Sequence, residues 1–319
     1  MAEIKPRIGN IRTKLETVIP LEAPFLVFLD PSNLCNAECK FCPTGNRIMV
    51  RKYRKSQVMD YNLYTNIIKQ LSSFRDIKTL RLYKDGEPLL NPYFTDMVAY
   101  AKDAGCFGEI DTTTNGKLFT KKIVRSLANC GLNKIFISVP DNYSDKYREM
   151  VAELYARKTM DIYVKIIGDS LPCGRVDKFY EDFDKISDYM FVENLAPCWP
   201  NFDVLGKGTM GIYGNELTNI SVCPYVFYSF SINSNGTVSL CFLDWQHRLI
   251  LGDLMNDHIT KIWNGKQHIY YQKMMLDGRR KFHPFCCNCG QLTHCSPDNI
   301  DEYASELLER IGHENMQPR

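Results

Sequence analysis

Phe25-Leu-Val-Phe-Leu-Asp-Pro-Ser-Asn-Leu-Cys35-Asn-Ala-Glu-Cys39-Lys-Phe41-Cys42-Pro43 is the stretch from which the rest of this chain can be read. It opens with an unbroken apolar run, the pattern of a strand buried on both faces. It closes with three cysteines separated by three and then two residues. Structural zinc and fully ligated iron–sulfur sites take four protein ligands. No fourth Cys or His is near, and the next cysteine is Cys106. A four-iron cube held by three thiolates keeps one iron open to a small molecule that chelates through an amine and a carboxylate. A zinc knuckle or a group of reduced thiols is the other reading of the triplet alone.

Downstream, helical and extended patterns alternate. Helices are expected over 61–73, 93–104, 121–128, 147–157 and 176–186, and strands over 79–83, 108–114, 134–139, 162–167 and 189–192. With the run at Phe25 these make six strands in βαβ units, hence a parallel α/β sheet whose cysteine loop leaves the C-terminal end of its first strand. Pattern alone does not separate a barrel from a doubly wound sheet. The first 24 residues, punctuated by Pro6, Pro20 and Pro24, read as a lead-in. Pro- and Gly-rich sequence over 194–220 reads as a linker or a loop facing substrate.

Composition narrows the setting. Lys and Arg number 39 against 37 Asp and Glu, so the +2 formal charge implies no nonspecific nucleic-acid or membrane partner. No apolar run approaches the roughly 18 residues of a membrane span, and no secretory signal pattern opens the chain. The 13 cysteines fall mostly into two groups with metal-ligand spacing, which points to a reducing cytoplasm rather than a disulfide scaffold.

The second group is Cys223, Cys241, Cys286 and Cys289, four thiolates that can fully ligate one four-iron cluster or, alternatively, zinc. Asn235-Gly236 between alternating strands signals a hairpin that brings Cys223 and Cys241 together. A helix over 267–276 stops at Gly278, and an amphipathic helix is expected over 300–311. Cys287 is a spare ligand or a buried thiol. The six histidines all lie in the C-terminal third and lack a helical zinc spacing.

The CxxxCxxC spacing with Phe41 before the third cysteine resembles the signature of the radical S-adenosylmethionine (radical SAM) enzymes. The resemblance implies a partial (β/α)6 TIM-like barrel. It also implies a [4Fe-4S] cluster on Cys35, Cys39 and Cys42 that binds SAM and, once reduced, cleaves it to a 5′-deoxyadenosyl radical. Gly86-Glu87-Pro88 resembles the family's SAM-amine motif, usually Gly-Gly-Glu-Pro, with Asp85 in place of the first glycine. By the same likeness Asn115 lies near SAM, Ser138 touches its ribose, and Arg148 pairs with its carboxylate.

Cys-x12-Gly-x4-Cys followed by Cys-x2-Cys resembles the twitch form of the SPASM extension, which carries one auxiliary [4Fe-4S] cluster. Cys295 falls where a two-cluster form continues, but Asn299 stands where its next cysteine would be. The implied organisation is a lead-in over 1–24, a core over 25–195, a linker over 196–222, a cluster domain over 223–295 and a C-terminal helix and tail over 296–319. The implied activity is dehydrogenation of a sugar-like or aminocyclitol substrate, with a flavodoxin or ferredoxin as reductant. Modification of a ribosomal peptide is a rival, which the short lead-in argues against. Epimerisation is another, needing a thiol such as Cys173, Cys198 or Cys295.

Overall fold

The computed structural model describes residues 1–7, 12–169, 171–204, 208–295 and 297–314. Its strands are β1 (Glu3–Ile4), β2 (Leu26–Leu29), β3 (Ile77–Arg81), β4 (Phe107–Thr114), β5 (Lys134–Ser138), β6 (Asp161–Ile167), β7 (Tyr189–Glu193), β8 (Ser229–Ile232), β9 (Thr237–Ser239) and β10 (Ile250–Asp253). They form one sheet in the order β1-β7-β6-β5-β4-β3-β2-β8-β9-β10. From β2 to β7 every neighbour is the next strand in sequence, and every pairing is parallel. A doubly wound sheet would reverse its order at a switch point. Without a reversal the right-handed crossovers put the helices on one face and curl the sheet one way, as in a barrel. β2 and β7 pair with β8 and β1 rather than with each other, so the six-stranded barrel is partial.

The crossover helices are Tyr61–Leu71, Phe94–Ala104, Lys121–Asn129, Asp145–Tyr155 and Arg175–Phe183. Their starts follow from capping chemistry: Asp60 accepts from the backbone N–H groups of Asn62 and Leu63, Thr120 from that of Ile123, and Ser144 from that of Tyr147. Gly105, with φ of 65°, ends the second helix. Leu80, Ile110, Ile135 and Val164 point from the strands into the helix layer, where Ile67, Met97, Leu127 and Leu154 meet them. The opposite face of the strands encloses the barrel interior.

Three features depart from the sequence reading. The lead-in is not merely a leader, because Glu3–Ile4 pairs in parallel with β7 and covers that edge. The expected hairpin does not begin directly after Cys223: Tyr225–Tyr228 is a turn of helix, and the strand begins at Ser229. That strand lies parallel to β2, so the hairpin expected at Asn235-Gly236 prolongs the barrel's own sheet and adds β10 beyond it.

Two glycines seat the cysteine loop. A Cβ on Gly86 would lie 2.2 Å from the carbonyl oxygens of Ser32 and Leu34, so the loop after β3 can press against the segment leading to Cys35 only without a side chain. The Glu87 N–H then donates to the Leu34 carbonyl at 2.7 Å. A Cβ on Gly45 would lie 2.2 Å from the Cys39 carbonyl oxygen, where the loop folds back on itself. Gly86→Ala should therefore cost at least about 1–3 kcal/mol, as overpacking does. Urea unfolding of the cluster-free protein, together with iron retained after reconstitution, measures it. Wild-type values for both would contradict this seating.

Candidate active site

Cys35, Cys39 and Cys42 are free thiols in the loop that leaves β2. Burial pushes all three above the ordinary thiol range, Cys42 to about 12, and the neighbouring thiols push Cys39 and Cys42 further. Backbone N–H groups act the other way. Ala37 N–H points at Cys35 Sγ from 3.4 Å, and Thr44 stands in the same relation to Cys42. Amide donors aimed at sulfur stabilise thiolate, the form that ligates iron. The donor set and its amide cradle thus fit a three-thiolate cluster.

Around this loop the strand ends converge. Glu87 is buried; its carboxylate accepts from Thr114 Oγ1 at 2.6 Å, Asn115 N at 2.8 Å and Leu89 N at 3.2 Å. Burial raises its pKa, and those donors oppose the rise. Asn115 Nδ2 donates to Asn36 Oδ1 at 2.8 Å and lies 3.9 Å from Cys35 Sγ. The clasp locks the loops after β3 and β4 onto the cysteine loop. Phe41 and Ser138 line the cavity below. Arg148 is placed elsewhere: its guanidinium pairs with Asp182 at 2.5 Å and Asp145 at 3.3 Å, on the helix side of the barrel.

Asp85, the departure from the family motif, is the hub of a buried charge network. Its carboxylate pairs with Arg54, with Lys84 Nζ at 2.7 Å and with His247 Nε2 at 2.9 Å. Burial would raise its pKa, but Arg54, Lys84 and His247 together hold it well below the usual carboxylate range. Arg54 also donates to Thr44 Oγ1, which donates to the Asp85 carbonyl, while Lys84 reaches the Asp244 carbonyl at 3.1 Å. Neighbouring Asp30 is pushed up to about 7 by burial and then by Asp85.

The second thiol set is Cys223, Cys241, Cys286 and Cys289, all free thiols. Cys241 is driven up by burial and then by Cys289, Cys223 and Cys286, so the four sulfurs stand within electrostatic reach of one another. Leu243 N–H lies 3.4 Å from Cys241 Sγ, and Tyr225 and Gln291 present theirs to Cys223 and Cys289. The same amide pattern therefore suits a second cluster. Cys287 is exposed, whereas Cys295 Sγ lies 3.0 Å from Cys198 Sγ.

One cavity of about 640 Å³ fills the barrel interior, from Phe41 and Cys42 to Tyr225, Phe242 and Gln291 beside the second thiols. Sequence reading missed several of its wall residues. Lys165, paired with Glu193 at 2.6 Å, was signalled by a charge inside an apolar strand pattern. Arg7 carried no signal at all.

A three-thiol loop thus lies at one end of the cavity and a four-thiol group beside the other. Residues 29–168 match the radical SAM superfamily, and residues 223–290 match the SPASM iron–sulfur cluster-binding domain. The chain is a radical SAM enzyme with a SPASM domain. It is 22% identical over 276 residues to the S-adenosyl-L-methionine-dependent 2-deoxy-scyllo-inosamine dehydrogenase of Niallia circulans, covering 86% of this chain and 96% of that protein. In fold it is similar to BtrN in complex with AdoMet and 2-DOIA (TM-score 0.58, 20% identity, 86% and 96% of the two chains). It is likewise similar to Streptococcus suis SuiB bound to precursor peptide SuiA (TM-score 0.61, 14% identity, 92% and 75%).

Two outcomes test the site. Anaerobically reconstituted protein should hold about eight irons, and about four once Cys35, Cys39 and Cys42 are all Ala; zinc at the second set would contradict this. Asp85→Asn strands Arg54 and Lys84 in the interior and should cost roughly 3–5 kcal/mol in urea unfolding of the cluster-free protein.

Proposed function

We propose that this chain reductively cleaves SAM to a 5′-deoxyadenosyl radical and with it dehydrogenates a polar, sugar-like small molecule, using the auxiliary cluster as electron acceptor. The observation that supports this best is the single cavity reaching from Cys42 to the neighbours of the second thiol set. When bound, the clusters supply one electron to SAM and take one from the substrate carbon after it has lost a hydrogen atom and a proton. The chain's own residues do the positioning. Phe41 and Ser138 border the SAM end, and the Glu87–Thr114–Asn115 clasp fixes the loops above it. Glu193, steadied by Lys165, is a carboxylate in the wall suited to accept a hydroxyl proton.

The dehydrogenase relative supports this reaction class. We assign Gly86, Glu87, Asn115 and Ser138 to the SAM side. Arg148, committed to Asp182, serves there only if it exchanges that partner. The division at 195 and 223, a flavodoxin or ferredoxin reductant and a cytoplasmic setting belong to the same proposal. Among the described residues no helix is long and apolar enough to cross a membrane. Cys198 and Cys295, both in the cavity wall, favour epimerisation as the second reading, because a thiol there can return hydrogen to a substrate carbon.

The two readings separate cleanly. Cys286→Ala with Cys289→Ala should leave dithionite-driven 5′-deoxyadenosine formation intact and suppress the two-electron-oxidised product. An isomer carrying one deuterium from D2O, lost in Cys198→Ala or Cys295→Ala, would replace dehydrogenation by epimerisation. Fully reconstituted wild type that never cleaves SAM would sink both.

A further inference from the structure

Most cations around the cavity have a carboxylate of their own. Arg81 has Asp111 at 3.0 Å, Lys84 has Asp85 at 2.7 Å and Lys165 has Glu193 at 2.6 Å. Arg7 does not. Its nearest carboxylate is the same Asp111 oxygen, at 3.7 Å, beyond hydrogen-bond distance and already taken by Arg81. Its Nη1 donates to Thr113 Oγ1 at 3.1 Å, and its guanidinium carbon lies 3.6 Å from the Phe136 ring centroid. Nε and Nη2 are buried with no hydrogen-bond partner among the described residues. Those two nitrogens form one edge of the guanidinium fork, the edge that receives a carboxylate or phosphate through two parallel bonds. Stacking on Phe136 and the bond to Thr113 fix its plane. A desolvated cation with its recognition edge open is costly unless a ligand completes it.

We propose that the substrate is an acid and that Arg7 holds its carboxylate or phosphate inside the barrel. This rests on the proposed small-molecule chemistry and narrows it, since an ammonium substrate would meet a like charge here. Depth argues for substrate rather than SAM. Phe136 precedes Ser138 by two residues on β5, about 7 Å further down the strand from the end where the SAM-side residues cluster.

Equilibrium dialysis tests this on holoenzyme with both clusters and saturating SAM, using glucuronate and glucose 6-phosphate as acid probes against glucose and glucosamine. The acids should bind about ten- to a hundredfold more tightly than the other two. Arg7→Gln should erase the preference and Arg7→Lys, which keeps the charge without the fork, should retain part of it. Circular dichroism melting checks that both variants are folded. Equal binding of all four probes, or an acid preference that survives Arg7→Gln, overturns the proposal. So does an Arg7→Gln that weakens SAM but not decarboxylated SAM, because the fork then serves SAM's own carboxylate. SAM cleavage, followed in parallel, reports separately on the radical reading, since the dialysis requires no turnover.

Discussion

The absence of a side chain at Gly86 is the constraint on which the site depends. With its Cα against the carbonyl oxygens of Ser32 and Leu34, the loop after β3 becomes the floor of the cysteine loop. The Glu87 N–H then bonds the Leu34 carbonyl, and the Glu87 carboxylate fastens Thr114 and Asn115. Three strand ends are thereby locked together by the chain's own groups. Open iron chemistry needs such rigidity, because the protein must aim a radical that it cannot otherwise control.

Asp85 shows how a motif can change a residue and keep its architecture. A carboxylate where the family motif has glycine would be a buried, uncompensated charge. Here Arg54 comes from the cysteine-loop side, Lys84 from β3's own loop and His247 from the segment after Cys241. The substitution has thus become a junction between the barrel and the cluster domain. Buried ionic networks add little net stability but tolerate few alternative arrangements, which suits a junction that must hold one geometry.

Much of this was legible in the sequence, for physical reasons. The alternation of helical and extended patterns located the six barrel strands and their helices to within a few residues, because a two-sided parallel strand such as Leu26–Leu29 and an amphipathic helix such as Tyr61–Leu71 are locally determined. That the thiols fall into two groups was legible because close spacing in one loop, and a hairpin signal between Cys223 and Cys241, bring such residues near one another. What escaped depends on contacts distant in sequence. The pairing of Glu3–Ile4 with β7 and of β8 with β2, the Arg54–Asp85–His247 junction and the approach of Cys198 to Cys295 join residues from separate parts of the chain. Arg148 was displaced for the same reason. Nothing near it in sequence announces Asp182, which holds it away from the cavity.

The seam between β2 and β8 carries a consequence for the spacing of the two thiol sets. It is a parallel ladder running from Leu26 opposite Ser229 to Leu29 opposite Ile232, with the first thiol set beyond the C-terminal end of β2 and Cys223 before the N-terminal end of β8. The two redox centres that these thiols suit would flank the same short stack of hydrogen bonds, about 13 Å long at the usual rise per residue. A flexible linker would let the two thiol sets drift apart and would leave the space between them without fixed dimensions. Here the spacer is a strand pair inside the hydrophobic core, so the separation of the two thiol sets is set when the chain folds.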